Sequence, residues 1–261
     1  MDQLLLTGAT FCLLLSFGYT LFTLGAGRFR PGLVNLVSIL GGFALLSLDL
    51  WNRGQAQGSC PINSLFDVLI FMSWSILLIY LLVGPAYHLS LLGAFTSPLV
   101  FLLLLIAQLG LVGNTAQGRF HRDPWVEFHA ALTLIAYGAF ALAAVAGLMY
   151  LVQNRQLKKR RAGALLYNLP PITDLVVAND RLLRLGFALL TTGFGAGILS
   201  GMPVDNLKFV ASGLLWAGYG TLLILRKMHR LPPKRMAAAS LVIFALALIS
   251  LPAIQYLSSP K

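Results

Sequence analysis

The chain has four imidazoles, His88, His121, His129 and His229. His121 and His129 fall where a polar run ends in Asp123-Pro124 and a long apolar run begins. Imidazole is a common metal ligand, and whether two histidines eight residues apart could share a metal depends on the loop between them. Asp123 reads as a helix N-cap and Pro124 as the first helical residue, where a missing N–H has no cost. At about 1.5 Å of rise per residue, His129 then lies roughly 8 Å inside the helix. A titratable ring is thus placed just within an apolar layer, below Arg119, His121, Arg122, Trp125 and Glu127. An ionisable residue in such a layer is suspected of function by default. The competing reading is a core histidine bonded to a neighbouring backbone carbonyl, and residue types alone leave both open.

The other chemistry-bearing residues point to less. His229 sits among Arg226, Lys227 and Arg230 and reads as a solvated linker residue, while His88 lies in a short turn. Asp67 falls at the outer end of an apolar run, where a carboxylate needs a partner or water. Its ordinary reading is a first-turn residue favoured by the helix dipole and reaching the interface, and Asp49 could reach the interface likewise. Trp51, Trp74, Trp125 and Trp216 are candidates for interfacial belts, with Trp74 and Trp216 set deeper. Cys12 and Cys60 have no metal-type spacing, and a disulfide between a mid-span and a loop cysteine is not expected. Phosphate-loop, serine-hydrolase and zinc-protease patterns are missing from the sequence, as are paired carboxylates on one helix face. These observations imply a protein that is not an enzyme, with no catalytic residues. Sparse charge within the apolar runs argues against a proton-coupled transporter.

The elements that would position these residues are apolar runs near the roughly 20 residues that a bilayer helix requires. They cover about 4–25, 33–50, 65–83, 91–112, 124–152, 182–201, 209–225 and 236–257. Without water to satisfy the backbone, each should be a helix. The expected fold is an all-α polytopic membrane bundle of about eight transmembrane helices, forming a single transmembrane domain over 1–261. Gly193, Gly197 and Gly201 repeat at four-residue spacing and mark a face for close helix approach. Thr133, Ala136, Phe140, Ala143 and Gly147 follow the His129 face, as helix contact or as room for a flat ligand. The first run lacks a basic leader and reads as a retained span.

Composition supports the membrane assignment. Hydrophobic residues make up 58% and charged residues 10%, against roughly 25% charge in soluble domains. The formal charge of +11 is not a nucleic-acid signal, because the basic residues lie between apolar runs. Alternate linkers, with the adjoining helix ends, hold 14 and 5 of the 19 Lys and Arg residues. The richer side should be cytoplasmic, so both termini face outward. The basic stretch Arg155 to Arg161 could contact acidic lipid head groups or a cytoplasmic partner.

Several stretches, in order, resemble the cytochrome c assembly protein family, the CcsA/HemX-like integral membrane proteins that handle haem. They are NSLFDVLIFMSW (63–74), LLGAFTSPL (91–99), WVEFHAALTLIAYGAFALAAVAGLMYL (125–151), Leu169-Pro170-Pro171, RLGFALLTTGFGAG (184–197) and Trp216 to Tyr219. The stretch at 125–151 is the most similar, with an outward-side histidine leading into an Ala/Tyr-rich helix. Asn63 stands where the family has an acidic residue, and Asp67 follows four positions later. The outward tryptophan-rich segment of haem-presenting members is missing, as are their second outward histidine, towards the C-terminus, and their membrane-embedded histidines. The resemblance is therefore to the HemX-type branch, and His129 alone carries over from the ligand set.

The resemblance implies a protein of the bacterial cytoplasmic (inner) membrane that binds or handles haem, with cytochrome c maturation proteins as partners. His129 would supply an axial imidazole. His121 or a loop group could be the second ligand, or the iron could be five-coordinate. Arg119 and Arg122 could pair with propionates, or belong to an ordinary polar loop. The candidate cofactor-binding set is His129, His121, Arg119, Arg122 and Asp67, with His129 as the metal ligand. The alternative is a membrane scaffold or regulator that keeps the fold without haem. A reporter active only in the cytoplasm and fused after Lys261 is expected to be silent; activity there would reverse the orientation.

Overall fold

The computed structural model describes residues 2–25, 33–62, 64–84, 90–110, 123–158, 171–201 and 207–258. These form eight helices and no strand among the described residues: α1 (Asp2–Gly25), α2 (Leu33–Gln57), α3 (Leu65–Val83), α4 (Ser90–Gln108), α5 (Pro124–Lys158), α6 (Ile172–Leu199), α7 (Leu207–Lys227) and α8 (Pro233–Ser258). By length and composition, α1, α2, α3, α5, α6 and α8 can each cross a membrane. Large apolar side chains cover the outside of the bundle, with Leu33 79%, Phe22 76% and Leu214 71% exposed. Such a surface suits a hydrocarbon surround.

Helix α5 is the buried axis and packs against α3, α6 and α8, most extensively against α6. Its small residues explain this. Lipid tails are as apolar as side chains, so close packing and hydrogen bonds, rather than expulsion of water, hold membrane helices together. At Gly138 a Cβ would lie 2.8 Å from the backbone of Ser75, so α3 and α5 touch backbone to backbone. Phe140 fills the space left by Gly186 of α6 and stacks on Tyr219 of α7, with ring centroids 3.7 Å apart. The Phe140 face is thus helix contact. Gly201 does not extend the α6 seam: with φ +67° and open space around it, it belongs to the turn after the helix.

Polar groups within the bundle are tied locally or between helices. Ser16 bonds Asn35 across α1 and α2. Gln108 of α4 donates to Thr10 at 2.7 Å, and Asn179 of α6 donates to the Ala143 carbonyl at 2.7 Å. Trp74 donates to Ser47 at 2.9 Å and stacks on Phe43, which makes it an α2–α3 packing residue. Trp51 and Trp125 are about half or more exposed near helix ends.

The helices differ from the apolar runs mostly in length. α3 matches its run over Leu65–Val83, whereas α2 continues to Gln57, α5 to Lys158, and α6 begins at Ile172. Hydropathy marks the bilayer segment, while a helix persists into water wherever its residues favour it. Gln, Lys and Arg do so at the end of α5. At 35 residues and about 1.5 Å per residue, α5 is roughly 50 Å long and exceeds a hydrocarbon core of about 30 Å.

Gly138→Val should lower stability by about 1–3 kcal/mol, because the backbone of α3 cannot yield as a side chain can. Thermal melting in detergent reads this, and an unchanged melting temperature would contradict the backbone contact.

Candidate functional site

Asp123 caps α5, its carboxylate accepting the Trp125 N–H at 2.9 Å. Glu127 accepts the Cys60 backbone N–H at 3.3 Å and ties the loop after α2 to the start of α5. Two residues further along the helix, His129 is 9% exposed. Its Nδ1 lies 2.7 Å from the Gly193 carbonyl oxygen of α6. A carbonyl only accepts, so Nδ1 carries a proton, and in the neutral tautomer that this bond selects the lone pair lies on Nε2. The ring fits because Gly197 has no side chain: a Cβ there would come 2.8 Å from Nδ1. Thr133 closes the same seam, donating to the His129 carbonyl at 2.7 Å.

Metal-binding histidines are commonly held this way, one N–H bonded to a carbonyl and the other nitrogen turned to the metal, and buried structural histidines are satisfied by the same bond. The carbonyl bond expected of a core histidine is present. It occupies Nδ1, so a ligand role would fall to Nε2. Among the described residues no group of three His, Cys, Asp or Glu could hold a bare metal ion. A porphyrin brings four equatorial nitrogens and needs only an axial ligand from protein, so a single imidazole of this kind fits haem. Tyr137, Phe140 and Tyr219 are buried in the same core.

Arg119, His121 and Arg122 lie outside the described residues, as does His88. Asp67 forms a capping box with Ser64, accepting the Ser64 N–H and hydroxyl at 3.3 and 2.9 Å while Ser64 accepts its N–H at 3.1 Å. Its other oxygen lies 3.6 Å from Arg53 Nη1. Arg53 Nε also donates to Asp49 at 2.8 Å, and the guanidinium lies 5.0 Å over the Phe66 ring. Asp67 lies in the first turn of α3, as expected, and both carboxylates are covered by protein: Asp49 is 0% and Asp67 5% exposed. The extension of α2 explains it, since Arg53 on that helix brings the countercharge inward. No hydrogen bond or ion pair joins Asp67 to His129 among the described residues. Both cysteines are free. Burial, and secondarily the Glu127 carboxylate, push the Cys60 thiol up to about 11.

The profile described as "Cytochrome C assembly protein" matches residues 62–259, from α3 through α8. The chain belongs to the cytochrome c assembly protein family. It is 28% identical to Protein HemX of Brevibacillus brevis over 169 residues, covering 64% of this chain and 62% of that protein. It is 26% identical to the cytochrome c biogenesis protein CcsA of Prochlorococcus marinus (strain AS9601) over 189 residues, covering 63% of this chain and 60% of that one. A 28.8 kDa protein of Azospirillum brasilense is 37% identical over 99 residues, covering 38% of this chain and 34% of that protein. The chain thus spans about three fifths of the first two relatives' lengths.

In this family member two features of the site lie beyond the apolar runs and local motifs. Arg53 falls outside the run that ends at Leu50, and its i,i+4 spacing from Asp49 is the local signal of the pair. The Gly193–Gly197 seat of the imidazole joins residues 64 or more positions apart, and no local pattern marks it. Arg53→Ala leaves the buried Asp49 without this countercharge and should cost about 3–5 kcal/mol. Urea or thermal unfolding in detergent measures the loss, and wild-type stability would show that the pair does not form.

Proposed function

We propose that the chain is a haem-handling component of cytochrome c assembly in a bacterial cytoplasmic membrane, with no catalytic step of its own. Membership of the family and the names of its relatives support the general role. The single observation that supports haem is His129, buried and fixed by the Gly193 carbonyl through Nδ1, so that Nε2 is the ring nitrogen a metal would use. In this reading haem is the cargo or ligand, and its iron takes an axial imidazole from His129. The protein's own part is to orient that ring, exclude water from it and hold the proton at Nδ1. Cytochrome c maturation proteins are the partners that the role requires.

A second reading is a membrane scaffold or regulator that has kept the bundle without haem. The close α5–α6 packing around His129 favours it, since the same carbonyl bond also satisfies the ring as a structural residue.

The absorption spectrum of purified protein separates the two. The haem reading predicts a Soret band near one haem per chain that is lost in His129→Ala. It also predicts a weakened band in Gly197→Ala, whose new methyl displaces the ring while leaving the imidazole in the chain. Haem content unchanged in His129→Ala, or no band after expression with excess haem, would leave the scaffold reading.

A further inference from the structure

A groove of about 950 Å³ runs between α6 and α7 at their basic ends. Its floor is apolar and aromatic. Phe187 and Trp216 stack there with centroids 5.7 Å apart and an interplanar angle of 26°. Gly220 keeps the floor low, since a Cβ there would sit 3.3 Å from the Phe187 ring. Trp216 is anchored by its indole N–H, which donates to Thr191 at 3.0 Å, yet is 38% exposed. Ile224, on the same wall, is 60% exposed, so the groove opens towards the hydrocarbon side of the bundle.

The rim has the opposite chemistry. Arg184, Arg226, Lys227 and His229 line it, with Asp180 as its one acidic residue. Asp180 pairs with Arg184 and lies 4.0 Å from Arg226 Nε. One carboxylate faces three permanent cations, which leaves a surplus of positive charge. Arg184 has a side chain 67% exposed, and Lys227 is exposed, so both can turn towards a ligand.

We propose that this groove binds one anionic phospholipid. Its phosphodiester headgroup lies against Arg184 and Lys227 at the rim, and an acyl chain lies along Phe187, Trp216 and Gly220. Three observations fix the class of occupant. The floor is apolar and open to the bilayer, the rim is cationic at one end only, and that end joins the basic linker expected to face the acidic leaflet. A zwitterionic lipid brings its own cation to the rim and gains nothing from the surplus charge. The proposal is independent of haem binding at His129, which uses the other face of α6.

Native mass spectrometry of the full chain in detergent tests it, with phosphatidylglycerol and phosphatidylcholine added separately. Wild-type protein should retain phosphatidylglycerol about tenfold more tightly than phosphatidylcholine, and Arg184→Ala/Lys227→Ala should remove most of that preference. Trp216→Ala, which removes the floor and keeps the charge, should weaken both lipids alike. An equal affinity of wild-type protein for the two lipids would overturn the proposal. So would a preference that survives the double substitution while the melting temperature stays at the wild-type value.

Discussion

The close approach of α5 and α6 sets the geometry of the rest. In a bilayer no water is released when apolar helices meet, so association needs contact at short range and polar groups that satisfy one another. The small faces of α5 and α6 provide the first. The imidazole of His129, set against the Gly193 carbonyl, and Asn179, set against the Ala143 carbonyl, provide the second at two depths of the same seam. Because α5 is also packed against α3 and α8, this seam fixes where the other helices can sit.

One consequence is that the imidazole is held by backbone. A side-chain partner could rotate away, whereas a helical carbonyl is fixed by its own ladder. The bond therefore selects one tautomer of the neutral ring and one orientation, as a metal ligand needs and as a buried structural imidazole also needs. At the same level of the bundle, Arg53 joins α2 to the start of α3 through Asp49 and Asp67, and Glu127 holds the intervening loop to α5. The C-terminal end of α2 and the N-terminal ends of α3 and α5 are thus tied together.

Much of this was legible in the sequence. Apolar length gave the helices because a bilayer leaves the backbone no alternative, and Asp123-Pro124 marked the start of α5 by chemistry local to the turn. The burial of His129 followed from counting residues from that cap. What escaped reading depends on distance in sequence or on solvent. The ends of α2, α5 and α6 extend beyond the apolar runs, where hydropathy is silent about helix, and so Arg53, which pairs with Asp49 and Asp67, falls outside the run that ends at Leu50. Gly193 and Gly197 read as a generic packing face; that the partner across the seam is an imidazole requires the fold. The α6–α7 groove combines residues from two helices whose separate patterns show only an aromatic residue here and a basic end there.

The central claim is the protonation and orientation of one ring. Solid-state NMR on bilayer-reconstituted protein tests it, using ¹⁵N-labelled histidine, ¹³C-labelled glycine, and His88, His121 and His229 replaced by Gln so that only His129 reports. The account predicts a neutral ring protonated at Nδ1, with a dipolar contact from that nitrogen to the Gly193 carbonyl carbon. A proton on Nε2, or no contact with Gly193, would contradict it.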